Sequence, residues 1–291
     1  MSITLKNVTF VYMPNTPYET KALDNISFEI KDGEFIGLIG HTGSGKSTLL
    51  QHLNGLLKPA AGEVLINGRN INEKAPDIKK LRANVGLVFQ YPEYQLFEET
   101  VYKDVAFGPK NLGFNQGEID KLVRDSLELV EMDFDTFADK SPFELSGGQK
   151  RRIALAGILA MNPTTLILDE PMAGLDPQGR QSTMQLLRKM NKAGKTIIMV
   201  SHYMDDVAML CDRVMVMSNG KIVKDDSTKN IFADAEYLLK LGLDIPFASR
   251  VIYELKKTGK FVDDTINIAE LADIISNKIN SKKVSTLRGK F

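Results

Sequence analysis

A glycine-rich stretch near the start of the chain has the residue types and the spacing of a phosphate-binding loop. It fits the pattern G-x-x-x-x-G-K-[ST] and consists of Gly40, His41, Thr42, Gly43, Ser44, Gly45, Lys46, Ser47 and Thr48. The apolar run 35–39 precedes it and the candidate helix 49–53 follows it, which is the context that this pattern requires. Glycines let the backbone N–H groups turn inward toward phosphate oxygens. We therefore expect Lys46 to reach the β- and γ-phosphates and the Ser47 hydroxyl to ligate Mg²⁺.

Two acids end a second apolar run. Asp169 and Glu170 directly follow residues 166–168, and open parallel sheets bind their ligands at the carboxyl ends of such strands. This spacing predicts that Asp169 holds Mg²⁺ through water and that Glu170 polarises the attacking water. The alternative is a surface Asp-Glu pair at the start of a loop, and the phosphate-binding loop makes that alternative weaker.

A histidine follows a third apolar run. His202 comes after residues 196–200, where a side chain can face a γ-phosphate. A lone histidine is more often a satisfied structural residue. The neighbouring Asp169 strand favours the functional interpretation.

A second glycine-containing loop, with Gly147 next to Gly148, precedes a helical stretch. Its residues are Leu145, Ser146, Gly147, Gly148 and Gln149, and the helical pattern continues over 150–159. Exposed amides at a helix N-terminus form another anion-binding surface. Such a loop is weak evidence alone, but its combination with the phosphate-binding loop and the Asp169-Glu170 strand is a specific signal of a nucleotide site.

The elements that must position these residues alternate between strands and helices. Residues 3–10 and 26–30 are β-like, and the strands 35–39, 64–66, 85–89, 166–168, 197–200 and 214–217 are short and apolar. Asp32-Gly33 and Asn67-Gly68 have the residue types of hairpin turns. Helices are predicted over 119–130 and 153–161. This order predicts an α/β fold with a largely parallel sheet.

Composition excludes several classes of protein. The chain has 37 basic and 37 acidic residues, which argues against a non-specific nucleic-acid binder, and we expect no nucleic-acid partner. One cysteine, Cys211, excludes an internal disulfide framework. No run approaches the length of a membrane span, and the first residues lack the apolar core of a signal peptide. An intracellular protein that meets a membrane through a partner is expected.

Residues 3–230 together resemble an ATP-binding-cassette (ABC) ATPase. The resemblance implies a P-loop NTPase domain with an antiparallel β subdomain and a helical subdomain, binding ATP and Mg²⁺. It implies that Tyr12 stacks on adenine, that Gln90 contacts Mg²⁺ or water, and that Asp176 is the D-loop aspartate. It further implies that Glu170 is the catalytic base, that His202 is the switch histidine, and that residues 145–149 close over ATP held by another subunit.

A narrower resemblance is carried by QYPEYQLFEETVYKDVAFGPKNLG, residues 90–113. It is similar to the ATPases of energy-coupling factor (ECF) transporters, which import vitamins and metal ions, and the insert 13–20 and the C-terminal region resemble the second ATPase type. The resemblance implies a second ATPase subunit, in a heterodimer or a homodimer, a transmembrane coupling protein, a substrate-binding membrane protein and a place on the cytoplasmic face of the membrane. We expect an ATPase domain over 1–230, with a helical signature subdomain over 91–161, and a small helical appendage for dimer or partner contact over 231–291.

The segment after Gln90 has two interpretations. Tyr91, Tyr94, Leu96 and Phe97 either pack into the lobe's own core or form a docking groove for a membrane partner's helices. Acids flank Leu96 and Phe97, which predicts that both lie at the surface. Rival functions are a soluble ABC ATPase that acts on ribosomes or DNA, and a nucleotide-gated scaffold that does not hydrolyse ATP.

Overall fold

The computed structural model describes residues 2–73, 78–259 and 263–288. Within these ranges the strands form two sheets. The smaller sheet is antiparallel with the order β2-β1-β4-β5. Its strands are β1 (Ile3–Tyr12), β2 (Thr20–Ile30), β4 (Ala61–Ile66) and β5 (Arg69–Asn70).

The larger sheet has the order β10-β9-β3-β8-β7-β6. Its strands are parallel except β10, and they are β3 (Phe35–Gly40), β6 (Val85–Val88), β7 (Thr165–Asp169), β8 (Thr196–Val200), β9 (Arg213–Ser218) and β10 (Lys221–Ser227). All six residues of β3 are buried because both faces of this sheet are covered. The predicted α/β fold with a largely parallel sheet is confirmed.

One of the two predicted hairpin turns is wrong. Asn67 and Gly68 have φ angles of 51° and 75° and join β4 to β5, with Ile66 opposite Arg69, as a hairpin requires. Asp32-Gly33 instead passes the chain between sheets, since β2 pairs with β1 whereas β3 pairs with β8 and β9. The fully buried β3 belongs at the centre of the larger sheet, where a hairpin with the half-exposed β2 would not place it.

Helices pack against both faces of the larger sheet. They are α1 (Lys46–Leu53), α2 (Ile78–Ala83), α3 (Val101–Asn111), α4 (Gln116–Leu129), α5 (Phe134–Phe137), α6 (Gly147–Leu159), α7 (Pro177–Lys192), α8 (Met204–Leu210), α9 (Thr228–Ala233), α10 (Ala235–Lys240), α11 (Phe247–Lys257) and α12 (Ile268–Arg288). The helix predicted over 119–130 is confirmed as α4. The helix predicted over 153–161 belongs to α6, which begins at Gly147 because Ser146 and Gln149 form a capping box.

The larger sheet separates two hydrophobic cores. Ile36 and Leu38 of β3 face the antiparallel sheet, while Phe35 and Ile39 of the same strand face the helices. The helical core continues past residue 230 through Phe232 and extends as far as Ile245. A small separate core of Ala248, Ile252 and Leu271 lies in α11 and α12.

Over the described ranges, no helix combines the length and the apolarity that a membrane crossing needs.

Candidate active site

Four neighbouring parallel strands end at one edge of the larger sheet. Leu38 of β3 lies opposite Val200 of β8, and Val200 lies opposite Asp169 of β7. Val88 of β6 lies opposite Leu168 of the same β7. The segments that follow these strands are therefore brought together: the phosphate-binding loop, His202, the Asp169-Glu170 pair and Gln90.

The phosphate-binding loop curls around the ammonium group of Lys46. Nζ of Lys46 donates to the carbonyl oxygens of Gly40, at 2.6 Å, and His41, at 3.0 Å. Gly45 precedes α1 with φ 104°, and a Cβ there would lie 2.4 Å from the carbonyl oxygen of Ala22, so only glycine fits. Burial lowers the pKa of Lys46, an effect that Asp169 and Glu170 oppose. The loop thus holds a buried ammonium group able to pair with anionic phosphates.

Ser47 and Asp169 form a pair of oxygen ligands. The Ser47 hydroxyl donates to Oδ2 of Asp169 at 3.3 Å, and Ser47 is exposed. Burial raises the pKa of Asp169, while the hydrogen bond from Ser47 and the charge of Lys46 act in the opposite direction. A hydroxyl and a carboxylate are hard oxygen donors of the type that Mg²⁺ prefers, so these residues fit the ion.

Glu170 is held in a strained conformation with its carboxyl group buried. Its φ is 52°, and the residue is 6% exposed. Oε2 accepts from the backbone N–H of His202 at 3.4 Å, whereas Oε1 has no hydrogen-bond partner among the described residues. Nε2 of His202 lies 3.4 Å from Oε1. Burial is the main cause that raises the pKa of Glu170 to about 7, and burial also lowers the pKa of His202. Near neutral pH the site therefore holds a carboxyl group able to take up a proton beside a mostly neutral imidazole.

Tyr12 stands beside the helix that follows the loop. Its side chain is half-exposed, and its hydroxyl lies 3.2 Å from Oγ1 of Thr48. Its ring meets Phe10 edge to face at 4.9 Å, and Phe10 meets the buried His52 at 4.7 Å. Tyr12 is thus an exposed aromatic ring supported by Phe10 and close to the phosphate-binding loop, as stacking on a base requires.

The other expected site residues lie at exposed positions. Gln90 is exposed, two residues beyond β6. Ser146, Gly147 and Gly148 are exposed at the start of α6. Asp176 is exposed and caps α7 by accepting from the N–H of Gly179 at 2.7 Å.

A cleft of about 850 Å³ lies between α4, α6 and α7. Gly148 and Asp176 line it, and its described lining includes none of residues 40–48. Within one chain the structure therefore brings together the phosphate-binding loop, Asp169, Glu170 and His202. Asp176 and Gly148, which belongs to residues 145–149 (the signature loop), line this separate cleft.

Two arginines near the site escape sequence reasoning. Arg151 donates to the carbonyl oxygens of residues 170, 171 and 173. Arg180 donates twice to Oδ1 of Asp206, at 2.6 and 3.2 Å. A usable signal for Arg151 is the basic run 150–152 in the first turns of α6, where the helix dipole disfavours cations.

The predicted exposure of Leu96 is wrong. Leu96 is 8% exposed and belongs to the helical core, whereas Phe97 is 56% exposed. Leu96 has an extended backbone, in which neighbouring side chains point to opposite sides, so the flanking acids do not decide its burial. Phe97 instead joins an exposed group of aromatics, which we call the aromatic patch: Tyr91, Tyr94, Phe97 and Phe107.

Comparison with known proteins identifies the family. Residues 23–173 match the ABC transporter family. The energy-coupling factor transporter ATP-binding protein EcfA2 of Clostridium perfringens is 54% identical over 267 residues, covering 91% of this chain and 94% of the relative. The corresponding protein of Clostridium tetani is 50% identical over 98% of this chain and 99% of the relative.

A solved structure supports the same assignment. The structure of cbiO1 from Clostridium perfringens, described as part of the ABC transporter complex cbiONQ, has a TM-score of 0.70 and 40% identity over 86% of this chain and 98% of its own. These relatives favour the transport hypothesis over action on ribosomes or DNA. The chain is an ATPase that belongs to the ABC transporter family, among the ATP-binding proteins of energy-coupling factor transporters.

Proposed function

We propose that the chain hydrolyses MgATP as one of two ATPase subunits that power an ECF-type importer of vitamins or metal ions. The observation that carries the proposal is the cluster of Lys46, Ser47, Asp169, Glu170 and His202 at one sheet edge. The named relatives are ATP-binding proteins of energy-coupling factor transporters.

In the proposed mechanism the chain first binds the phosphates of ATP. Lys46 exchanges its two carbonyl partners for phosphate oxygens, and the loop N–H groups and the N-terminus of α1 surround the same anion. Tyr12 stacks on the base. Ser47 and Asp169 would hold Mg²⁺, Asp169 through water, and Gln90 would contact the ion or the attacking water. Such an ion would neutralise charge on the phosphates.

Glu170 then acts on the attacking water. Its unpaired Oε1 accepts a proton from the water as the water oxygen bonds to the γ-phosphorus. The bond from that phosphorus to the β–γ bridging oxygen breaks, and ADP leaves. The raised pKa of Glu170, about 7, lets the group both hold and release that proton near neutral pH. His202 contacts the γ-phosphate and, through its backbone N–H, orients the Glu170 carboxylate.

A complete site needs two chains in this proposal. The signature loop, residues 145–149, contacts ATP held by the second ATPase subunit through its exposed residues 146–148, and the exposed Asp176 meets the same interface. The partner is a related ATPase in a heterodimer or a second copy in a homodimer. A solved relative supports a paired arrangement: the ATP-binding cassette MJ0796, 33% identical with a TM-score of 0.69 over 78% of this chain and 98% of its own, is a dimer bound to ADP and Pi.

The proposed place of action is the cytoplasmic face of the membrane. Tyr91 of the aromatic patch directly follows Gln90. The patch would dock helices of a transmembrane coupling protein, which works with a substrate-binding membrane protein. We further propose an ATPase domain over 1–230 and an appendage over 231–291 that contacts the dimer partner. The separate core of α11 and α12 supports an added unit at this end of the chain.

Replacing Glu170 with Gln tests the proposed catalysis. The amide keeps the shape but cannot accept the proton, so phosphate release from the assembled ATPase pair should fall by about 10²- to 10⁴-fold at the altered site. ATP binding, measured by titration with a fluorescent ATP analogue, should persist. With the partner subunit's own site inactivated, phosphate release within twofold of the rate of unaltered Glu170 would exclude this residue as the base.

Replacing Phe97 with Asp tests the proposed docking surface. A large apolar side chain buried against the partner contributes about 1.5–3 kcal/mol to binding, so the charge should release the chain from its membrane partner. ATP binding should not change, because none of the phosphate-contacting residues is altered. Leu56→Asp is the matched control, since Leu56 and Phe97 are both 56% exposed. If Phe97→Asp and Leu56→Asp co-purify equally with the membrane complex, the aromatic patch is not part of the docking surface.

A further inference from the structure

Arg151 joins α6, the signature helix, which begins within the signature loop, to the segment that carries Glu170. Its Nη1 donates to the carbonyl oxygen of Ala173 at 2.6 Å. Its Nη2 donates to those of Glu170, at 3.0 Å, and Pro171, at 2.9 Å. One guanidinium thus holds three of the four carbonyl groups from 170 to 173, and it does so from the second turn of α6.

This position is unfavourable for a cation unless its hydrogen bonds compensate. Arg151 lies near the N-terminus of α6, where the helix dipole opposes positive charge. Burial lowers the pKa of Arg151, and the charges of Glu93 and Tyr91 act in the opposite direction. Three charge-assisted hydrogen bonds in fixed directions give the side chain a geometric role. The guanidinium orients a stretch of backbone.

The stretch that Arg151 holds is the one whose shape matters for hydrolysis. Glu170 has a φ of 52°, a conformation that persists only where surrounding contacts enforce it. Its N–H donates to Val200 at 3.0 Å, which fixes the segment to the sheet on one side. Arg151 fixes the same segment to α6 on the other side.

The cleft of about 850 Å³ between α4, α6 and α7 borders both partners of this contact. Gly148 and Arg151 line it from α6, Pro171 lines it from the segment 170–173, and Gly174 directly follows that segment. The guanidinium of Arg151 therefore joins α6 to the Glu170 segment at the wall of the cleft. Pro92, from the segment after Gln90, lines the same cleft.

We infer that Arg151 is a positioning residue that transmits the position of the signature helix to Glu170. When the signature loop engages ATP on the partner subunit, Arg151 moves with α6 and sets the Glu170 segment over this chain's own ATP. This inference rests on the proposed function, because it requires a signature loop that contacts the partner's nucleotide.

The test compares Arg151→Met with Arg188→Met in the assembled ATPase pair. Arg188 also donates to a backbone carbonyl, that of Met209, but it lies on α7 away from residues 170–173. A misplaced catalytic group costs up to about 10²-fold. With the partner subunit's site inactivated, Arg151→Met should therefore lower kcat at this chain's own site about 10- to 100-fold, with KM for ATP within about twofold. Arg188→Met should leave both unchanged. Arg151→Lys retains a donor and should restore part of kcat, which keeps the test valid if Arg151→Met does not fold.

A double variant separates action through Glu170 from action through the signature loop itself. In a Glu170→Gln background, Arg151→Met should not lower the residual rate further, because the two changes affect one group. A further loss in that background would place its effect at the partner's site and overturn the inference. So would a kcat for Arg151→Met within twofold of the control. A pair in which Glu170→Gln itself has no effect would instead contradict the proposed function.

Discussion

At the scale of single residues, the buried carboxyl group of Glu170 makes the stability of the nucleotide-free chain depend on pH. Burial raises its pKa from 4.5 to about 7 in the folded state. The folded chain therefore binds more protons than the unfolded chain between these values, and its stability falls as the pH rises through this window. Above pH 7 the full effect is at most about 3 kcal/mol.

Glu170→Gln should remove this dependence. Without nucleotide or Mg²⁺, we expect the variant to melt at a higher temperature than the wild type at pH 8 and at the same temperature at pH 4. Glu128→Gln, on the exposed face of α4, controls for the loss of one negative charge. A stability difference that does not change with pH would contradict the raised pKa of Glu170.

Local patterns predict the chemistry of the site but not the contacts that hold it. Lys46 and Ser47 lie within one continuous motif, and Asp169 with Glu170 ends a recognisable strand, so their neighbourhood follows from sequence. The carbonyl partners of Arg151 lie about 20 residues further along the chain, and nothing local specifies a bond to backbone atoms. The predicted exposure of Leu96 is wrong for a related reason, because its burial depends on core residues that are distant in sequence.

At the scale of elements, an ion pair fastens the start of α7 to α8. Arg180 donates to Asp206, whose side chain is 3% exposed, and its guanidinium lies 4.7 Å from the ring centre of Tyr203. Oδ2 of Asp206 has no hydrogen-bond partner within the part of the chain that the structure describes. Asp206 therefore depends on Arg180 to compensate for its burial.

Arg180→Met should destabilise the chain by leaving that carboxylate buried without its cation. Since Arg180 is one-third exposed, we expect about 2–3 kcal/mol rather than the full cost of breaking a buried pair, and a Tm lower by about 5 °C or more. Adding Asp206→Asn should restore part of the loss because it removes the uncompensated charge. Calorimetry of both variants decides the matter, and a double variant no more stable than Arg180→Met would show that Asp206 is not the cause.

Elements are predictable from sequence where their signals are local. The β4–β5 hairpin follows from two residues that adopt positive φ, and α4 follows from its apolar spacing. The pairing of β3 with β8 and β9 joins segments about 160 and 180 residues apart, so a turn sequence at 32–33 could not reveal it.

At the scale of the whole molecule, motifs in one chain indicate the family, but the proposed second half of each site lies outside the chain. The side chains of Ser146 and Gln149 form the helix cap of α6, and Ser146, Gly147 and Gly148 of the signature loop are exposed. Its surface is therefore free to bind a ligand held by another subunit, which is why a single chain is expected to hydrolyse ATP poorly.

Gly148→Asp should leave the stability of the chain intact but impair ATP hydrolysis by the assembled pair. A Cβ at Gly148 meets nothing within 4 Å, and an acid in the first turn of a helix is favourable, so the Tm should stay within a few degrees of wild type or rise. In the pair, the new carboxylate would face the partner's ATP phosphates, and like-charge contact should lower phosphate release at least about tenfold. Gly117→Asp is the matched control, because Gly117 occupies the same position after the capping box of α4 and is exposed. ATP binding by the isolated chain should be equal in both variants. Full activity of Gly148→Asp in the pair would mean that the signature loop does not contact the partner's nucleotide, because a carboxylate in contact with the phosphates would repel them.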